Sequence, residues 1–141
     1  MKILIPVDGS DNAKRAVKYA ISLANHLKEV PELLLLNVQW NVAGGNVKFF
    51  INQETINDYY REQGMTALHE ARALLDEAHL SYQFHISIGT PAPAIVQYAT
   101  EKAADLVVMG KQGEEGLQSL LLGSVGSKVA QLSSIPVTLV N

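Results

Sequence analysis

Apolar positions change their period along the chain, and the changes mark the elements. KILIPV, near the N-terminus, is an apolar run of strand length. In the stretch that follows, Ala13, Ala16, Val17, Ala20, Ile21, Ala24 and Leu27 recur at helical spacing, with Ser10 as N-cap. Pro31 breaks the chain. LLLLNV, Leu33 to Val38, is a second strand-like run, and NVAGGNVKFFINQ reads as a loop. A long helix is expected from about Glu54 to about His79, its inner face marked by Ile56, Tyr60, Ala67, Ala71, Leu74, Leu75 and Ala78.

SYQFHISI alternates. Tyr82, Phe84, Ile86 and Ile88 fall on one side and Gln83, His85 and Ser87 on the other, the pattern of a half-exposed edge strand. Thr90 and Pro91 then open a helix, as N-cap and first helical residue. DLVVMG is a short apolar strand. Ser124 reads as the cap of a last helix carrying Val125, Val129 and Leu132, and IPVTLV closes the chain as a strand. The order β-α-β-α-β-α-β-α-β implies one α/β domain over 1–141, a parallel sheet with helices on both faces. Crossovers in such a sheet are right-handed.

Between the fourth strand and the last helix, Gly110 to Ser127 holds five of the chain's ten glycines. Ligands of open α/β sheets bind outside the carboxyl ends of the strands, at a topological switch point. A helix N-terminus there presents free N–H groups to a phosphate. Gly123 and Ser124 are therefore candidates for phosphate contact. Gly110 and Gly113 are candidates for close approach of a ribose or phosphate. The stretch is neither a Walker A loop nor the dinucleotide fingerprint, and its glycines read equally as two turns and a cap.

Composition narrows the alternatives. The net charge is −3 and the longest basic run is Lys14-Arg15, so the footprint of a nucleic-acid binder is missing. There is no cysteine, which excludes disulfides, thiolate zinc and a cysteine nucleophile. The opening MKILIPVD does not read as a signal peptide, and no segment approaches 18 apolar residues; a cytoplasmic protein without membrane insertion is expected. His26, His69, His79 and His85 are isolated and suggest no metal site. Ser10 lies in no nucleophile elbow.

Gly110-x-x-Gly113, nine residues, then Gly123-Ser124 resembles the G-2x-G-9x-G-(S/T) signature of ATP-binding universal stress proteins. ILIPVDGS, LLLLNV, ADLVVMG and LLLGSVGSKVAQLSSIPVTLV resemble successive parts of that family, so the likeness spans the chain. It implies a five-stranded parallel sheet in the order 3-2-1-4-5, with its switch point between strands 1 and 4, and usually a homodimer. Carried over by position, Pro6, Val7 and Asp8 line the end of strand 1 and Val38 meets adenine through its backbone. Met109 packs near the base. Gly110, Gln112 and Gly113 follow the ribose and phosphates, and Gly123, Ser124, Val125 and Gly126 bind phosphate. Gly126 replaces a small hydroxyl residue, and Glu114-Glu115 stand where relatives carry neutral or basic residues. Asp8 reads as a ribose or Mg²⁺ contact, or as a cap for the first helix. Lys111 reads as a solvated loop lysine. Trp40, Phe49 and Phe50 read as a satellite cluster or a lid.

The resemblance implies an ATP-binding regulatory module in which ATP, with or without Mg²⁺, orders the loop from Lys111 to Leu122. No catalytic residue is expected beyond slow ATP hydrolysis. The alternatives are a nucleotide-free dimer acting by protein interaction, and an ATP hydrolase or nucleotidyl transferase. The last strand is expected at a sheet edge, where a two-fold partner would pair with Val137 to Val140.

Overall fold

The computed structural model describes residues 1–40, 53–111 and 117–141, with the side chains of 53 and 117–124 outside the description. Its elements are β1 (Lys2–Pro6), α1 (Asp11–His26), β2 (Glu32–Gln39), α2 (Gln53–Glu77), β3 (Tyr82–Ile88), α3 (Pro91–Glu101), β4 (Leu106–Gly110), α4 (Leu117–Leu132) and β5 (Val137–Val140). All strand pairs are parallel, and the sheet order is β3-β2-β1-β4-β5. This is the five-stranded order implied by the family resemblance.

The continuous apolar runs are explained by burial on both faces. Ile3, Ile5, Leu33, Leu35 and Val108 pack with Ala16, Val17 and Ala20 of α1 and with Leu68, Ala71 and Leu75 of α2. The intervening residues Leu4, Leu34, Leu36, Val107 and Met109 face the other way, against Ala92, Ile95 and Ala99 of α3 and Val129 of α4. One-residue alternation thus sorts each strand into two cores. Lys14 joins α1 to α2, lying 2.9 Å from Asp11 and 3.1 Å from Glu70. These carboxylates, Asp11 first, hold its pKa above the usual lysine value.

One helix start follows the capping chemistry in full and a second only in part. Ser10 Oγ accepts the Ala13 N–H at 3.1 Å. Thr90 is the N-cap of α3, with Pro91 in its first turn, but its side chain makes no capping bond. The last helix differs from expectation. It begins at Leu117, so Ser124 lies inside α4 rather than capping it. Leu117, Leu120 and Leu121 are strong helix formers at i, i+3, i+4 spacing, and the helix they begin runs through two poor positions, Gly123 and Gly126.

Edge strand β3 alternates less cleanly than its sequence. Tyr82 and Ile86 join the core, whereas Phe84 and Ile88 stay exposed. Arg72 lies over the Phe84 ring at 4.4 Å and donates from Nε to the Tyr82 hydroxyl. On the opposite face His85 stacks on Tyr98, with ring centroids 5.3 Å apart. Burial, then the charge of Glu101, pushes the Tyr98 phenol up. His26, His69, His79 and His85 are all exposed. Trp40 is exposed as well; Phe49 and Phe50 lie outside the described residues.

At Gly64, α2 crosses β3 so closely that a Cβ would come within 2.6 Å of the Ile86 side chain. Alanine would raise helix propensity by about 1 kcal/mol, but overpacking costs about 1–3 kcal/mol. Gly64→Ala is therefore expected to lower the urea midpoint, and the same change in an Ile86→Ala background to leave it level or raise it. Equal effects in both backgrounds would show that Ile86 is not the obstacle.

Candidate nucleotide-binding crevice

The crevice starts with a missing proton. In β1 the odd residues turn their main-chain groups toward β2: Met1 C=O accepts from Glu32 N–H, and Val7 N–H donates to Leu36 C=O. The even residues turn toward β4, where Lys2 C=O accepts from Asp105 N–H. Extending the β1–β4 ladder beyond Leu4 needs an N–H on residue 6, facing the Val108 carbonyl. Pro6 has none. The β1–β4 register accordingly stops at Leu4↔Val107, whereas the β1–β2 register continues to Pro6↔Leu36. The ladder between β1 and β4, the pair at which strand order reverses, thus has a gap toward its carboxyl end, where Gly110 ends β4.

The β2 side of the gap is also open. β2 runs past β1 and pairs there with β3, through Val38↔Ser87 and Gln39↔Ile88. Leu36 C=O faces β1, and Gln39 C=O faces β3, where it accepts the Gly89 N–H. Val38 therefore turns its N–H and C=O toward the β1 side, past the point where β1 ends. A donor beside an acceptor, aimed into a crevice, matches the adjacent ring nitrogen and amino group of adenine.

The turn after β1 is held from within. Asp8 Oδ1 accepts the Ser10 N–H at 2.9 Å, and Ser10 in turn caps α1. Gly9 has φ +86°, and a Cβ there would sit 3.3 Å from Ala67 of α2, so a tight left-handed turn is required. Asp8 is exposed while Pro6 and Val7 are buried. Its carboxylate thus serves the turn that precedes the cap and still faces solvent.

On the β4 side, Met109 is buried in the α3–α4 core and Gly110 ends the strand. A Cβ on Gly110 would lie 2.9 Å from the Asn12 backbone. The first turn of α1, pressed onto the strand end, thus requires this glycine without any ligand. Gly126 is buried where α4 meets the strand ends: a Cβ there would be 3.3 Å from Leu139 Cδ2 and 3.5 Å from the Gly110 carbonyl oxygen. Glycine at 126 gives α4 this close approach. Gly110, which opens the motif, and Gly126, two residues past its close, are consequently neighbours in space. Val125 is half-buried, packed against the α3–α4 core.

Gln112, Gly113 and the pair Glu114-Glu115 lie outside the described residues. Gly123 and Ser124 do not open α4, as the sequence suggested; they follow its first six residues. At such positions an α-helix turns each N–H toward the carbonyl four residues back, so these two are not helix-start donors in this structure. Lys111 is exposed, as expected.

One polar residue at the crevice escaped the sequence reading. Asn37 is 2% exposed and donates from Nδ2 to the Val7 carbonyl at 2.8 Å. The signal was a single amide side chain at the end of LLLLNV. Elsewhere a groove of about 840 Å³ runs beside α2, lined by Gly9, Asp58, Arg61, Met65, His69 and Glu70 among others. Its lining, apart from Gly9, comes from α2 and mixes both signs of charge. Among the described residues no group of three or more His, Asp or Glu is placed to hold a metal. No helix among them is long and apolar enough to cross a membrane.

Comparison with known proteins places this geometry. The model of the universal stress protein family matches residues 1–141. Universal stress protein MJ0531 of Methanocaldococcus jannaschii is 36% identical over 143 residues, covering 99% of this chain and 81% of that protein. The solved structure of protein MJ0577 superposes with a TM-score of 0.80 at 28% identity, covering 99% of this chain and 94% of that one. A universal stress protein in complex with cAMP superposes with a TM-score of 0.73 at 25% identity, covering 100% and 97%. A family model that matches from end to end, on a sheet of the same order, leads to one conclusion: this chain belongs to the universal stress protein family.

Proposed function

We propose that this protein is an adenine-nucleotide-binding regulatory module of the stress response, with ATP as its nucleotide. The observation that carries the reading is the end of the ladder at Pro6, beyond which the Val38 main chain turns toward the β1 side with no ladder partner on β1. A relative of the same fold holding cAMP supports an adenine ligand. Adenine would sit on the Val38 main chain and near Met109. The ribose would lie by Pro6, Val7 and Asp8, with Gly110, Gln112 and Gly113 along the ribose and phosphates and Gly123, Ser124, Val125 and Gly126 around the phosphates. Asp8 is a single exposed carboxylate, so Mg²⁺ would arrive on the triphosphate, whose oxygens supply most of its ligands.

Phosphate capture by the Gly123 and Ser124 N–H groups requires α4 to begin near Ser124. Binding would then exchange the helical turns from Leu117 to Leu122 for a loop around the phosphates, changing the surface offered to a protein partner. The chain holds ATP in this account rather than turning it over; hydrolysis would stay below about 1 s⁻¹, the lower end of ordinary enzymes. Its place would be the cytoplasm. The partner chain is a second copy, paired along β5. Pro136 and Val140 carbonyls accept from β4, so Thr138 also turns inward, and Val137 and Leu139 present the outer edge. A nucleotide-free dimer is the second reading, and the start of α4 at Leu117 favours it. Adenine nucleotide released on denaturing the purified protein would rule that reading out.

Calorimetry with ATP tests the proposal: saturable binding is expected, and none at millimolar ATP would overturn it. Gly123→Val sets a branched side chain where phosphate must approach and should abolish most ATP binding while the protein stays folded; normal binding would displace the phosphates from this position. Glu114→Gln with Glu115→Gln should tighten ATP at low salt, the gain fading as screening shortens to about 10 Å at 0.1 M; unchanged affinity would turn both carboxylates away from the site. Light scattering should give twice the chain mass for the wild type and the chain mass for a folded Leu139→Pro. A Leu139→Pro dimer would move the interface off β5.

A further inference from the structure

We infer that Asn37 is a positioning residue that keeps the Val38 main chain free for the base; the inference rests on the nucleotide-binding reading of the crevice. In a continuing parallel ladder, the Val7 carbonyl would accept from the next inward-facing N–H of β2. The strand has just made the preceding bond, Val7 N–H to Leu36 C=O at 2.8 Å, so that next donor is Val38 N–H. The ladder instead ends at Pro6↔Leu36. The Val7 carbonyl is taken at 2.8 Å by the Nδ2 of Asn37. A side-chain amide has replaced a main-chain amide in the sheet's last bond.

The substitution is locked. Gln39 Nε2 donates to Asn37 Oδ1 at 2.6 Å, which fixes the Asn37 amide with its nitrogen toward Val7. Gln39 is itself held at the main chain, where its carbonyl accepts the Gly89 N–H at 2.9 Å. Asn37 is 2% exposed, so its donor has no water to turn to and the Val7 carbonyl is its partner. With that carbonyl satisfied, β2 has no reason to close onto β1, and Val38 keeps a donor and an acceptor aimed into the crevice. A hydrophobic residue at position 37 would leave the carbonyl unpaired. The cheapest repair is the missing ladder bond from Val38, which would consume the donor meant for the base.

The test is Asn37→Leu, branched at the same carbon but without a donor or acceptor, followed by amide hydrogen exchange at Val38 without ligand and by calorimetry with ATP and inorganic tripolyphosphate. In the wild type the Val38 amide should be unprotected; in Asn37→Leu it should be protected by at least about tenfold. ATP affinity should fall about tenfold, equivalent to about 1.4 kcal/mol, while tripolyphosphate affinity stays level. A purely structural role would lower both affinities together and leave Val38 exchange unchanged, which would overturn the inference. Protection of Val38 in the unliganded wild type would overturn it as well. Should Asn37→Leu not fold, through-bond NMR coupling in the wild type decides: it must link the Val7 carbonyl to Asn37 Nδ2, and a link to the Val38 amide contradicts the assignment. If the wild type binds no ATP, the nucleotide reading fails while the exchange data still judge the role of Asn37.

Discussion

The site depends on the N–H that Pro6 lacks. A parallel sheet is held by a ladder in which every inward-facing residue gives one donor and one acceptor. Proline in the middle of a sheet breaks that ladder. Here it lies at the last position of a central strand, on the side facing β4. The two halves of the sheet are therefore bonded at their amino ends, through Ile3↔Leu106 and Leu4↔Val107, and the ladder between them stops short of their carboxyl ends. Among the described residues, Pro6 and Gly110 end the two strands that border this stretch.

The rim is built to stay open. Asn37 satisfies the Val7 carbonyl without closing β2 onto β1. The Asp8–Ser10 turn and the positive φ of Gly9 lift the chain away from the strand end and deliver it to α1. The first turn of α1 then presses on Gly110, fixing where β4 stops relative to β1. Arg15, one turn further along, donates to the Asn141 carbonyl at 3.0 Å, so the same helix also holds the end of β5. The crevice and the edge proposed for pairing thus share one rigid support, and a nucleotide that moved α1 or α4 would be felt at β5.

Much of the fold was legible because apolar burial dominates it. The runs KILIPV, LLLLNV and DLVVMG are buried on both faces, a condition that leaves few alternatives to a central parallel strand. Chain order could not supply the strand order; the resemblance to a family did, and the register bears it out. The start of α4 was misread because a serine cap signal at Ser124 competes with the helical spacing of Leu117, Leu120 and Leu121, and a local rule cannot weigh the two. Gly110 was read as room for a ligand; the structure adds a demand that the sequence could not show, from the backbone of Asn12, 98 residues earlier in the chain. Asn37 was invisible as a functional residue because its meaning depends on which way its neighbours' main-chain groups turn, and that emerges only from the register. Gln112, Gly113, Glu114 and Glu115 lie outside the described residues, so their expected places in the site rest on the motif.

The most direct test of the central claim, that this divided sheet holds an adenine nucleotide at its switch point, is a crystal structure of the protein with ATP and Mg²⁺. The expected result is adenine hydrogen-bonded to the Val38 main chain, the ribose beside Asp8, and phosphates at the N–H groups of Gly123 to Val125 with α4 starting there. Nucleotide bound instead in the groove beside α2, or a crystal grown in millimolar ATP with the crevice empty and α4 still starting at Leu117, would contradict it.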